Sequence, residues 1–136
     1  MKKIKLLDSY AILLWIQNEP GAQAVEDLLL SAQKGQVQLV VSELNLGEVY
    51  YKCIRRAGRT RASEIMEQFA TLPVEFVPVD WGIVRRASEV KADIPIAYAD
   101  CFAIATALFA KAVIVTGDPE FKRASHLVDI EWLDRD

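Results

Sequence analysis

Short runs of mainly apolar residues alternate along this chain with longer segments whose apolar residues recur at helical spacing. The runs occupy residues 4–7, 37–41, 74–77, 112–116 and 128–132. Runs of this length that are mainly apolar, and do not as a set alternate strictly between apolar and polar residues, are typical of strands buried on both faces. Strands that alternate with helices or helix pairs favour a parallel sheet. We therefore predict an α/β fold with a parallel sheet covered on both faces.

The segments between the runs predict the helices that cover this sheet. The predicted helices span residues 9–18, 22–34, 43–56, 60–72, about 81–91 and 97–111, and a short helix opens at Gly117-Asp118-Pro119. Glycine and proline mark the breaks between elements. We see no linker or repeat, and we expect residues 134–136 to form a frayed end.

The length of 136 residues and the apolar content of 52% suit one domain, residues 1–136, with a single protein core. No apolar run approaches the length of a membrane helix, so we expect no membrane partner. Asp8 interrupts the first apolar stretch, which favours a first strand over a signal peptide. Cys53 and Cys101 fall in apolar helical patterns and are predicted to be core thiols, which fits a cytoplasmic protein.

Two acidic residues follow predicted strands. Asp8 comes after the first strand and Asp118 after the fourth. Sites in open parallel sheets form at the carboxyl ends of strands, which favours a functional role for both. Each residue also stands where an aspartate would cap the next helix, and Pro119 strengthens that alternative for Asp118. Both interpretations stay open from the sequence.

Asp100 interrupts an apolar helical stripe that continues through Ala103, Ile104 and Ala107. That stripe should face the core, and aspartate is rarely buried without a partner. No lysine or arginine lies within a helical turn of it. We therefore expect a cation from elsewhere in the fold, or a metal ion, to compensate its charge.

Glu48 lies inside a predicted helix, where pairing with Lys52 four residues later is the simpler interpretation. Gly47 beside it is costly in a helix interior. A close approach of another backbone would account for that glycine, and would place Glu48 near a packed site.

The four carboxylates can converge at one end of the sheet. Without a cation they would raise one another's pKa values. Mg²⁺ or Mn²⁺ prefers oxygen ligands and can activate a water for phosphodiester hydrolysis. His126, the one histidine, has polar neighbours and is predicted to be a surface residue.

Four segments of the sequence resemble the PIN-domain family, and within it the VapC-like toxin ribonucleases. They are Asp8-Ser9 after an apolar run, Ser42 with Glu48 six residues on, residues 98–107, and residues 116–121. The resemblance runs nearly end to end, and the last two segments together are its most specific part.

The resemblance implies a three-layer α/β/α sandwich and Mg²⁺- or Mn²⁺-dependent cleavage of RNA. It places Asp8, Glu48, Asp100 and Asp118 at the family's acidic metal-binding positions and Thr116 at a supporting hydroxyl position. It also implies a homodimer and a small antitoxin protein as inhibitor. Family sequences often have asparagine where this chain has Gly117, and a basic residue near Pro119.

Basic residues cluster after Glu48, and two interpretations of them are open. The cluster comprises Lys52, Arg55, Arg56, Arg59 and Arg61. Positive charge at a helix end suits the helix dipole and can be purely structural. Alternatively, the cluster forms a phosphate-contacting rim beside the acidic residues.

The leading hypothesis is an endoribonuclease, the toxin of a toxin–antitoxin pair. The alternatives are a PIN-fold RNA-processing nuclease without an antitoxin and a catalytically silent PIN-fold binding protein. The net charge of −3 disfavours a plain nucleic-acid binder. A phospho-acceptor receiver domain is disfavoured because the third strand does not end in aspartate. A dehalogenase-like phosphatase is disfavoured because Tyr10 stands where a second aspartate is needed.

Overall fold

Five parallel strands form one central sheet in the computed structural model, which describes residues 2–133. The strands are β1 (Lys3–Leu7), β2 (Val37–Ser42), β3 (Val74–Val77), β4 (Val113–Thr116) and β5 (Ile130–Trp132). Their order across the sheet is β3-β2-β1-β4-β5. The predicted parallel sheet is therefore confirmed, with β1 at its centre.

Six α-helices and one 3₁₀ segment connect these strands. They are α1 (Ser9–Ile16), α2 (Ala22–Gln33), α3 (Glu43–Ala57), α4 (Arg59–Phe69), α5 (Trp81–Asp93), α6 (Tyr98–Ala110) and the 3₁₀ segment Pro119–Ala124. Helices α1 to α4 pack on one face of the sheet, whereas α5, α6 and the 3₁₀ segment pack on the other. This arrangement confirms the three-layer α/β/α sandwich.

Successive residues of the central strands feed the two faces of the sheet. Leu7 and Val115 belong to the core under α1 to α4, and Leu6 and Ile114 belong to the core under α5 and α6. All four are completely buried. Both sets are apolar because both faces are covered, which explains why the strand segments are mainly apolar in the sequence.

The element bounds differ from the predicted ones mainly at chain reversals. Helix α4 ends at Phe69 instead of residue 72, because the Thr71 hydroxyl donates to the Gln68 carbonyl in a turn that leads to Pro73. Strand β5 begins at residue 130 instead of 128, because the Val128 N–H closes the 3₁₀ segment by donating to Ala124. The expected frayed end at 134–136 lies outside the described residues.

The predicted burial of the two cysteines and the predicted exposure of the histidine are confirmed. Cys53 and Cys101 are buried free thiols, and His126 is exposed. Within residues 2–133, no helix is long and apolar enough to cross a membrane.

Phe121 anchors the 3₁₀ segment in the core beneath α6, where its side chain is fully buried. We expect Phe121→Ala to lower the free energy of unfolding by about 3–5 kcal/mol, through lost burial and the cavity left behind. Urea denaturation with an unchanged m-value would measure this loss. Phe109→Ala is the matched control, because Phe109 is 71% exposed and its loss should change stability by only about 0.5 kcal/mol. Equal effects of the two substitutions would contradict this packing.

Candidate active site

The strand order reverses at β1, which pairs with β2 on one side and with β4 on the other. In an open parallel sheet such a reversal opens a crevice beyond the carboxyl ends of the two strands. Asp8 directly follows β1, Thr116 ends β4, and Asp118 lies two residues further on. The sheet thus brings together residues that are more than a hundred positions apart in the chain.

The Thr116 hydroxyl connects the two aspartates. It donates to Asp8 Oδ2 at 2.5 Å and accepts from the backbone N–H of Asp118 at 3.0 Å. Thr116 is completely buried, and Asp8 is only 2% exposed. The hydroxyl fixes the position of the Asp8 carboxylate and the course of the chain at Asp118.

Both aspartates also cap the segments that follow them. Asp8 Oδ1 accepts from the Ala11 N–H at 2.8 Å, and Asp118 Oδ1 accepts from the Glu120 N–H at 3.0 Å. The capping interpretation left open by the sequence is therefore correct for each of them. It does not exclude a functional role, because a carboxylate has two oxygens with about four acceptor positions.

Four acidic side chains line a pocket at this crevice, which we call the acid pocket. Three of them are predicted site residues, namely Glu48 of α3, Asp100 of α6 and Asp118, and the fourth is Glu19. The volume of the pocket is about 340 Å³. Asp8 lies buried next to it. The structure thus brings the four predicted carboxylates to one place, with Thr116 supporting two of them.

The electrostatics of the acid pocket disfavour negative charge. Burial, aided by the charges of Asp100 and Asp118, raises the pKa of Asp8 to about 7, although the Thr116 and Ala11 hydrogen bonds oppose the shift. Burial, with the charges of Asp118 and Glu48, also raises the pKa of Asp100 to about 7. Carboxylates held this way favour a bound cation, because its positive charge would offset the free-energy cost of ionising them.

Asn45 holds the Glu48 side chain, and the sequence analysis missed it. Its side-chain amide donates to Glu48 Oε1 at 2.8 Å and to the Ala99 carbonyl at 3.2 Å, next to Asp100. Asn45 is 1% exposed, and its own oxygen has no hydrogen-bond partner among residues 2–133. The available signal was an asparagine, a poor helix former, one turn before Glu48 on the same helix face.

The sequence-based account of Gly47 is wrong. A Cβ atom added there would meet nothing within 4 Å, so no backbone approaches it closely. Gly47 faces an open surface depression beside Tyr50. The predicted Glu48–Lys52 ion pair is also not found among residues 2–133, since Glu48 is held by Asn45 instead.

Lys52 contributes positive charge to the acid pocket. It lines the pocket and lowers the pKa of Asp100, against the larger effects of burial and of the charges of Asp118 and Glu48. Lys52 is thus a cation from elsewhere in the fold of the kind that the apolar stripe around Asp100 led us to expect. It does not offset the other effects, because the pKa of Asp100 is still raised.

The donor set of the acid pocket fits a hard divalent cation. It offers carboxylate oxygens and no thiol or imidazole, which is the chemistry that Mg²⁺ and Mn²⁺ prefer. As placed among residues 2–133, no three such side chains enclose an ion. Mg²⁺ does not require them to, because it commonly binds through one or two carboxylates and keeps several waters.

The raised pKa values of Asp8 and Asp100 predict how the stability of the metal-free protein depends on pH. An unfolded aspartate loses its proton near pH 4, whereas these two keep theirs to about pH 7 in the folded chain. Between these values the folded state binds more protons, so the contribution of each group to stability falls as pH rises. Each group contributes at most about 1.4 kcal/mol per pH unit.

Asp8→Asn isolates this effect, because asparagine still caps a helix but does not titrate. Urea unfolding in EDTA between pH 4 and pH 7 should show the variant gaining stability relative to the wild-type protein as pH rises. A constant difference over this range would contradict the raised pKa of Asp8.

Several solved structures that are similar to this chain are toxin–antitoxin complexes, and one is described as a toxin. The VapBC2 complex of Rickettsia felis, bound to a promoter DNA fragment, matches with a TM-score of 0.78 at 17% identity, covering 96% of this chain and 99% of that one. DNA-bound VapBC of Salmonella typhimurium matches with a TM-score of 0.77 at 20% identity, covering 98% and 100%.

Mycobacterium tuberculosis VapC20, described as a sarcin–ricin loop cleaving toxin, matches with a TM-score of 0.72 at 16% identity, covering 93% of this chain and 98% of that one. At these identities the likeness confirms the predicted resemblance at the level of the fold. A search of curated protein sequences gave no significant match.

The family model described as "PIN domain" matches residues 5–127, which include every residue of the site described above. The match therefore covers the acid pocket and the strands that form it, and it ends before β5. This chain belongs to the PIN-domain family.

Proposed function

We propose that this protein is a metal-dependent endoribonuclease that hydrolyses RNA phosphodiester bonds in the acid pocket. The observation that carries the proposal is the meeting of four carboxylates from separate elements around one small pocket. Two of them are held where burial and neighbouring acids disfavour their charge. Such a cluster costs stability unless a cation binds, which points to a function that needs the cation.

The role proposed for each residue depends on how far its side chain is exposed to the acid pocket. Asp100 and Asp118, which face the pocket, would bind Mg²⁺ or Mn²⁺, and Glu48 would bind it directly or through a water. Asp8 would complete the ligand set from below, held by Thr116. Asn45 would keep Glu48 turned toward the pocket by holding one of its two oxygens.

The bound cation would supply an activated water and would offset the negative charge of the phosphate. The protein's part is positional, since strands and helices hold these side chains more rigidly than loops would. The hydrogen bonds of Thr116 and Asn45 restrict the side chains of Asp8 and Glu48, two of the four proposed ligands. Groups that only support metal ligands commonly affect metal affinity or activity by 10- to 100-fold.

We also propose that the chain is the toxin of a toxin–antitoxin pair and acts in the cytoplasm. Support comes from the similar solved structures, several of which are toxin–antitoxin complexes. In such a pair a small antitoxin protein would hold the nuclease inactive. The homodimer implied by the family resemblance stays a prediction, and the mass measured by light scattering would test it.

Asp100→Asn should abolish Mg²⁺- or Mn²⁺-dependent cleavage of structured RNAs, with a loss of more than about 100-fold, because a ligand matters more than its supports. The variant should remain folded and, without metal at neutral pH, should be no less stable than the wild type, because the substitution removes charge repulsion. Gel assays of RNA cleavage and urea unfolding would measure the two effects.

Asp93→Asn is the matched control, since Asp93 is an exposed aspartate at the end of α5, away from the acid pocket. It should cleave as the wild type does, and EDTA should stop both proteins. Full activity of Asp100→Asn would overturn the assignment of the site. A wild-type protein that neither cleaves RNA nor is stabilised by Mn²⁺ would instead indicate a silent PIN-fold binding protein.

Expression of the wild-type chain in a bacterial host should arrest growth, and expression of Asp100→Asn should not. Co-expression of a short DNA-binding protein encoded just upstream should restore growth and co-purify with the chain. RNA cleavage in vitro without growth arrest, and with no such partner gene, would instead indicate an RNA-processing nuclease without an antitoxin.

A further inference from the structure

The basic residues that follow Glu48 separate into two groups in the folded protein. Lys52 lines the acid pocket, whereas Arg56 and Arg61 line a larger groove of about 790 Å³ between α1, α3 and α4. We call this cavity the helix groove. Arg55 stacks on the Tyr51 ring, 4.9 Å from its centre, and neither Arg55 nor Arg59 lines either cavity.

The acid pocket and the helix groove adjoin each other. Gln17, at the end of α1, contributes to the walls of both. On α3, Glu48, Lys52 and Arg56 are spaced four residues apart and so lie on one helix face, about 6 Å apart along the axis. Along this face the charge changes from negative at the acid pocket to positive at the helix groove.

The charges of Lys52 and Arg56 are not used in ion pairs. No carboxylate lies within salt-bridge distance of either among residues 2–133. Arg61 pairs with Glu64 at 3.3 Å, but both side chains are more than half exposed, and such pairs contribute little to stability. These cations are therefore available to a ligand. The floor of the helix groove is apolar, with the half-buried Trp15 ring at its surface and the buried Phe69 ring beneath it.

A polyanion is the ligand that this juxtaposition fits. An RNA chain cut in the acid pocket must extend beyond it, and the carboxylates repel the phosphates that flank the cleavage site. A row of cations that begins at the pocket's edge with Lys52 and continues with Arg56 and Arg61 offsets that repulsion on one side. Basic rims with aromatic floors are typical of sites for single-stranded nucleic acid.

We propose that a single-stranded segment of the RNA substrate leaves the acid pocket over Lys52 and continues along the helix groove, with phosphates bound by Arg56 and Arg61. The proposal rests on the ribonuclease function proposed above. It assigns the two arginines to substrate binding and leaves them no part in the chemical step.

The salt dependence of RNA binding tests this path. Affinity of the full chain for a labelled single-stranded RNA would be measured in EDTA, where no cleavage occurs, over a range of salt concentrations. Affinity falls as salt rises, so the plot of log affinity against log salt has a negative slope. Each lost phosphate contact should make this slope shallower by about 0.7. We expect this change for Arg56→Gln and for Arg61→Gln, and about twice the change for the double variant.

Arg55→Gln and Arg59→Gln are the matched controls, because they remove the same charge from the same two helices outside both cavities. They should leave the slope unchanged. In the presence of Mn²⁺, the groove variants should raise KM several-fold with kcat preserved, and the controls should change neither. Circular dichroism would confirm that each variant is folded.

Two results would overturn the path while leaving the ribonuclease function intact. Equal slopes for the groove and control variants would show a diffuse effect of charge. Unchanged RNA binding combined with lost binding of a partner protein would show that the helix groove is a protein-binding site. A wild-type protein that neither binds nor cleaves RNA would instead refute the ribonuclease function, and the path with it.

Discussion

Burial of the Asp8 carboxyl between the ends of β1 and β4 is the constraint on which the acid pocket depends. A carboxyl that is 2% exposed must have its oxygens satisfied, and here the Thr116 hydroxyl and the Ala11 N–H do so. The same hydroxyl accepts from the Asp118 N–H, so the site forms only when β1 and β4 are paired in this register. Fold and site are therefore specified by the same hydrogen bonds.

The acidic side chains of the acid pocket lower the stability of the folded, metal-free protein at neutral pH. Burial raises the pKa values of Asp8 and Asp100, so the protein holds acidic groups where their charge is disfavoured. An apolar residue at the buried position of Asp8 would avoid this desolvation cost. The carboxylates make physical sense as a site completed by a cation, which supports the proposed function.

The sequence predicted the layers of this fold almost completely, because buried parallel strands are apolar on both sides and helices are periodic. It also marked Asp100, whose helical stripe is otherwise apolar. It could not decide whether Asp8 and Asp118 are caps or part of a site, because one carboxylate has enough acceptor positions for both. The structure shows the caps, and metal binding stays a proposal.

Contacts between distant segments explain what the sequence analysis missed. Asn45 matters because α6 places the Ala99 carbonyl beside it, and no pattern within α3 reveals that neighbour. Gly47 was misinterpreted because helix propensity alone does not distinguish packed from open surfaces. The sequence did not show which residues of the basic cluster line the helix groove. That depends on how α3 and α4 pack against each other in the folded chain.

The position of β4 in the sheet has a consequence for the chain as it is synthesised. The ribosome releases β1, β2 and β3 with their helices well before the segment that carries Thr116 and Asp118. Until then, one edge of β1 has no partner strand and the Asp8 carboxyl lacks the hydroxyl that holds it. A nascent chain therefore carries an incomplete site, and the proposed nuclease would become competent only after the segment with Thr116 and Asp118 has left the ribosome.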